Sequence, residues 1–97
     1  MPHWFFERKS FGNMMELAIW KVPASRHNPI GVRYRLAFVR RGERAPAVLY
    51  DNHHPKGHHR HIEGIKEPYD FVDVDQLLHD FANHVGTAGG DAVWPRR

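Results

Sequence analysis

The chain has 97 residues, 41% hydrophobic and 26% charged, which suits one globular domain with a single core and leaves no room for two. It contains no cysteine, which excludes a disulfide scaffold, a thiol nucleophile and every thiolate zinc site. No apolar run approaches the roughly 18 residues of a membrane span, and Met1-Pro2-His3-Trp4 does not open as a secretory signal does, so a cytoplasmic protein without membrane attachment is expected. Lys and Arg exceed Asp and Glu by 14 to 11, a net +3 that is compatible with a polyanionic partner but shared by many plain soluble domains. The unusual feature is histidine: there are nine, five of them between His53 and His61.

In chain order, the aromatic-rich run Trp4 to Phe11 ends at Gly12-Asn13, a pair that tolerates positive φ and predicts a tight hairpin. The second strand, Met14 to Val22, places Leu17 and Ile19 on one face and Ala18, Trp20 and Val22 on the other. With both faces apolar, it reads as an interior strand. Residues 23–32 hold two prolines and a glycine and read as a loop. Arg33 to Arg40 alternates, with Tyr34, Leu36 and Phe38 facing inward and Arg33 and Arg35 outward. Ala47 to Asp51 is a short fourth strand, the histidine-rich stretch follows as a loop, and Pro68 to Phe71 is a candidate fifth strand.

The clearest element is a helix from Val74 to Val85, where Val74, Leu77, Leu78, Phe81 and Val85 share one face. Asp73 and Gln76 form a capping-box pattern at its start, and Gly86 suits its end. The expected architecture is α+β: a meander of four or five antiparallel strands with the C-terminal helix packed on one face. Residues 1–86 make the domain and residues 87–97 a flexible tail. The uncovered face would present Arg33 and Arg35 beside the histidine-rich loop. An exposed aromatic edge near Trp4 to Phe6 would allow two copies to pair as a homodimer. His79 and His84 read as exposed helix positions, and Trp20 and Tyr34 as core.

Three chemistries can use the stretch from Tyr50 to Gly64. In an extended segment His59 and His61 point the same way, as strand-borne metal ligands do, with His53, His54, Asp51 or Glu63 to complete a Zn, Ni or Cu site, adventitious or functional. No defined metal-ligand pattern accompanies them, so no cofactor is required. The second chemistry is acid–base cleavage of a phosphodiester. Two imidazoles act as base and acid near neutrality, while Lys56, Arg60, Arg33 and Arg35 stabilise charge on phosphorus. An RNA 2′-hydroxyl supplies its own nucleophile, so neither a catalytic serine nor a metal is needed. The third is binding alone: Lys56, Arg60 and the imidazoles on phosphate, Asn52 nearby, and Tyr50, Tyr69 or Trp20 stacked on bases.

The stretches Glu16-Leu-Ala-Ile-Trp-Lys-Val-Pro23, Tyr34-Arg-Leu-Ala-Phe-Val39, Leu49-Tyr-Asp-Asn52, Lys56-Gly-His-His-Arg-His-Ile-Glu-Gly64, Glu67-Pro-Tyr-Asp-Phe71 and Leu77-Leu-His-Asp-Phe81 follow one another in an order that resembles the TumE family of small prokaryotic toxin–antitoxin toxins. The Lys-Gly-x-His-Arg-His-Ile-x-Gly run is the most specific element; His58 departs from the family there, standing where an acidic residue is common. The resemblance covers about residues 5 to 85. It implies a toxin encoded beside a cognate antitoxin, often a helix-turn-helix protein. By analogy with other small toxins it points to RNA as target. Together with the residue chemistry it gives a leading expectation: a metal-independent ribonuclease with His59 and His61 as acid and base and Lys56 and Arg60 beside them. Phosphate or base contacts would come from Arg33, Arg35, Tyr50, Asn52 and Tyr69. The alternative is a non-enzymatic module that binds nucleic acid or a metal through its histidine-rich loop.

Overall fold

The computed structural model describes residues 4–10, 12–53 and 56–90, the side chains of residues 4–6 and 10 excepted. Six strands follow in order: β1 (Trp4–Ser10), β2 (Asn13–Lys21), β3 (Val32–Val39), β4 (Val48–Asp51), β5 (His59–Ile62) and β6 (Ile65–Pro68). They form one antiparallel sheet in the order of the chain. The one helix among the described residues, α1 (Val74–Thr87), packs across one face. The α+β meander with a C-terminal helix is therefore present, with six strands where four or five are expected.

The period-2 alternation of β2 and β3 explains which face the helix takes. Met15, Leu17 and Ile19 on β2, Tyr34, Leu36 and Phe38 on β3, and Val48 and Tyr50 on β4 meet Leu77, Leu78, Phe81 and Val85 of α1 in one buried cluster. The alternate residues of the same strands line the opposite, open face. Ser10 pairs with Asn13, so Asn13 already belongs to β2, and Gly12 takes the positive φ of +85° that the hairpin needs. The pairing of copies expected near Trp4 to Phe6 falls on β1, an edge strand, and those side chains lie outside the described residues.

The main correction concerns residues 53–71. The expected fifth strand at Pro68 to Phe71 is not one: the fifth and sixth strands are His59–Ile62 and Ile65–Pro68, and Tyr69 to Phe71 lead into the helix. The two strands are joined at Glu63-Gly64, both at positive φ (+50° and +82°), as a two-residue type I′ connection requires. Glu63 lacks the intrinsic tolerance of Asn or Gly for that conformation, and outside contacts hold it there. Its N–H donates to the Ala47 carbonyl at 2.8 Å, and Arg40 grips both carboxylate oxygens at 2.6 and 2.8 Å. The Arg40 guanidinium also reaches Glu43 and the Ala88 carbonyl, tying two turns to the end of the helix.

At the N-terminus of α1 the Asp73 carboxylate accepts from the Gln76 N–H at 2.8 Å, as the cap predicts. The Gln76 side chain does not reach back to complete the box; it donates to Asp80 instead. The helix runs past Gly86 to Thr87. Ala88 then packs on the core, and the Gly90 N–H closes on the Val85 carbonyl at 2.9 Å. A Cβ at Gly90 would stand 2.5 Å from the Phe38 ring, so the backbone itself fills that contact. Residues 91–97 lie outside the described residues.

Candidate active site

Cross-strand partners share a face of the sheet, so the register defines the open face row by row. One row runs Glu16, Ala37, Leu49, His61, Lys66. The next runs Ala18, Arg35, Asp51, His59, Pro68. A third begins Trp20, Arg33. His59 and His61 thus stand side by side on the face away from α1, ring centroids 5.4 Å apart and nearly edge to face.

Their surroundings differ. His59 is 6% exposed, and its Nδ1 lies 2.8 Å from the Gly57 carbonyl. A carbonyl only accepts, so Nδ1 carries the hydrogen and Nε2 is the atom left for chemistry. In its row His59 has the Asp51 carboxylate across β4. His61 is half-buried between Leu49 and Lys66. Burial, then the neighbouring His59, Lys66 and Lys56, hold its pKa below the usual imidazole value, and Asp51 opposes them weakly. Lys56 is exposed in the turn before β5, and Lys66 is exposed on β6. Arg33 is exposed and hydrogen-bonded to the His53 ring nitrogen. Arg35 is exposed and paired with Glu16 at 3.1 Å. The Asp51 carboxylate accepts the His53 N–H at 2.6 Å.

Several expected members of the site sit elsewhere. Arg60, between the two histidines, points to the helix face. It donates to Glu67 at 3.0 Å and to the Tyr50 hydroxyl at 3.2 Å, with its guanidinium 5.8 Å from the Tyr50 and Tyr69 ring centres. The structure therefore separates Arg60 from His59 and His61. Tyr50 is 0% exposed, packed against Tyr69, Phe81 and His84. Its hydroxyl meets His84 Nδ1 at 2.6 Å. Burial raises its pKa, an effect that Arg60 opposes. Tyr69 is buried too and donates to Asp80 at 2.6 Å; burial and then that carboxylate raise its pKa. Neither ring has a free face for a base. Asn52 is buried and structural: it accepts from the Tyr34 N–H at 2.9 Å and donates to the Val32 carbonyl at 2.7 Å, extending the β3 edge beyond β4.

His58 is also structural. Its ring lies nearly parallel to Tyr34 and Phe71, and its Nδ1 is 2.8 Å from the Tyr34 hydroxyl. Burial holds the Tyr34 phenol protonated, so it is the donor, and burial followed by His59 lowers the His58 pKa. Among the described residues no group of three or more His, Asp or Glu side chains is placed to hold a metal ion; His54 lies outside them. Sequence reasoning missed Lys66, because β6 was not foreseen, and His84, which is half-buried against Tyr50 rather than exposed.

A small six-stranded meander backed by one helix, with a His-Arg-His strand that divides its side chains between the two faces, defines a basic α+β protein that carries His59, His61, Arg35 and Lys66 on its uncovered sheet face. The sequence model described as Toxin TumE matches residues 7–87, and the chain belongs to that toxin family. No curated protein and no solved structure matches it. Membership in a toxin family implies an antitoxin partner. No helix among the described residues is long and apolar enough to cross a membrane.

Proposed function

We propose that the chain is the growth-inhibiting toxin of a toxin–antitoxin pair and acts as a metal-independent ribonuclease at the open sheet face. One observation carries this reading: two imidazoles 5.4 Å apart on a sheet face that also carries the exposed cations Arg33, Arg35 and Lys66, with Lys56 exposed in the turn before β5. The different settings of the rings divide the work. His61, kept neutral by its apolar and cationic neighbours, takes the proton from a ribose 2′-hydroxyl. The 2′-oxygen attacks phosphorus and forms the 2′,3′-cyclic phosphate while the bond to the 5′-oxygen breaks. His59, its ring fixed by Nδ1 on the Gly57 carbonyl, gives an Nε2 proton to that leaving oxygen. Protons balance, and no further reagent is needed. Lys66, Lys56 and Arg35 face the charge that builds on the phosphoryl oxygens.

A second reading, nucleic-acid binding without turnover, is favoured by the 6% exposure of His59, which limits its reach to substrate. Induced expression of the wild type and of the His59→Ala/His61→Ala double variant separates the two. Growth arrest with fragmentation of total RNA in the wild type alone, at equal soluble protein, supports the ribonuclease. Arrest with intact RNA discards it and leaves the toxin. Retention of full RNA cleavage by the double variant removes the imidazole mechanism.

A further inference from the structure

The strand of RNA implied by that reading needs more than a scissile phosphate, and the two tyrosines expected to stack on its bases are enclosed in the core. One aromatic side chain is placed differently. Trp20, at the end of β2, is only half-buried and alternates with Ala18 and Glu16 onto the open face. Its cross-strand partner is Arg33, an exposed guanidinium held toward the His53 ring. We propose that Trp20 and Arg33 form a nucleobase subsite for single-stranded RNA, the indole stacking on one base and the guanidinium holding the adjoining phosphate.

The path from this subsite to the imidazole pair supports it. Strand and residue spacings place Trp20 about 16 Å from His59 across the sheet, a distance bridged by a few nucleotides of extended strand. Between them the surface carries Arg35, and the neighbouring Ala18 is buried and adds no side-chain bulk above the sheet. The carboxylates on this path are already engaged: Glu16 with Arg35, Asp51 with the His53 N–H. Glu7, across from Glu16, lies one strand further out on β1. One indole beside a cation, with further cations toward the imidazole pair, complements a strand whose bases stack and whose phosphates need counter-charge. The subsite rests on the proposed RNA-directed function, but its binding can be read without turnover.

The test uses a 2′-O-methyl oligoribonucleotide of about 12 nucleotides, within the range of single-strand sites, whose blocked 2′-oxygen prevents cleavage. Fluorescence anisotropy gives Kd for the full chain and for Trp20→Phe, Trp20→Ala and Arg33→Gln, with thermal melting to confirm folding. Trp20→Ala is expected to weaken binding about tenfold with an unchanged salt slope, and Trp20→Phe to retain most of the affinity. Arg33→Gln is expected to lower the salt slope by about one. In a Trp4→Phe/Trp94→Phe background the remaining indole emission should be quenched at saturation. Wild-type affinity in folded Trp20→Ala, emission that ignores bound strand, or no binding by the wild type overturns the subsite. Cleavage of the unmodified strand is scored separately: Trp20-dependent binding without cleavage upholds the subsite and discards the nuclease.

Discussion

His59 and His61 share the open face of β5 with ring centroids 5.4 Å apart, yet one is anchored on a backbone carbonyl beside a carboxylate and the other stands among cations. That asymmetry has a kinetic signature. The base must be neutral and the acid protonated, so kcat/KM on single-stranded RNA is expected to trace a bell. Its acid limb reports His61 and falls below the ordinary imidazole midpoint of about 6.5, because burial and then the neighbouring cations favour the neutral ring. Lys66→Gln removes one of those cations and should move that limb toward higher pH with little change in the alkaline limb. Initial rates across the range decide it; an acid limb indifferent to Lys66 contradicts the assignment of His61 as base.

Arg60 lies between those histidines in sequence and on the other side of the sheet in space, bound to Glu67 and the Tyr50 hydroxyl. Its loss is therefore expected to act on stability. Arg60→Gln removes charge-assisted hydrogen bonds at a partly buried site and should cost on the order of 1–2 kcal/mol, read as a lower urea midpoint. The salt slope of RNA binding should not change in the folded variant, whereas Arg33→Gln should reduce it by about one. A drop in slope for Arg60→Gln would return Arg60 to the phosphate contacts.

The sequence showed the meander, the helix with its Asp73 cap and the outward set of Arg33 and Arg35, because long alternating or 3.6-periodic runs report directly which face is buried. It did not show β5 and β6. Four-residue strands carry too few positions for a period to stand out, and Glu63 at φ +50° hides the turn between them, since that conformation is imposed by Ala47 and Arg40 rather than chosen by Glu. The pairing of His59 with His61 followed from the two-residue spacing once the segment was taken as extended. The same alternation sends Arg60 to the opposite side, a consequence that reading the stretch as a loop concealed. Tyr50, Asn52 and Tyr69 resemble ligand-binding side chains in composition alone; only long-range packing makes them core.

Asn52 gives the sharpest stability test. Its carboxamide is the partner of the Tyr34 N–H and shares the Val32 carbonyl with Asn28 Nδ2. Asn52→Ala leaves the Tyr34 N–H buried without that acceptor, for a loss of about 2 kcal/mol and a fall in Tm on the order of 10 °C. Asn52→Asp keeps an acceptor for Tyr34 but sets a buried carboxylate oxygen against the Val32 carbonyl, so at neutral pH it should melt no higher than Asn52→Ala. Scanning calorimetry ranks the three, and equal melting of Asn52→Ala and wild type would contradict the structural role.

His58 makes stability depend on pH in a definite direction. Burial, and secondarily His59, lowers its pKa in the folded chain, while Nδ1 accepts from the Tyr34 hydroxyl. Between the lowered folded value and the unfolded value of about 6.5 the unfolded chain binds more protons, so stability rises with pH across that window. It is fully present above about pH 6.5 and is lost as the pH falls below it. His61, shifted the same way, adds a contribution of the same sign. His58→Phe preserves a ring beside Tyr34 and Phe71 but cannot titrate, and Tyr34→Phe in the same chain removes the hydroxyl left without its acceptor. Urea midpoints at about pH 7.5 and 5.5 should differ less in that double variant than in the wild type. An undiminished difference would place the titrating group elsewhere.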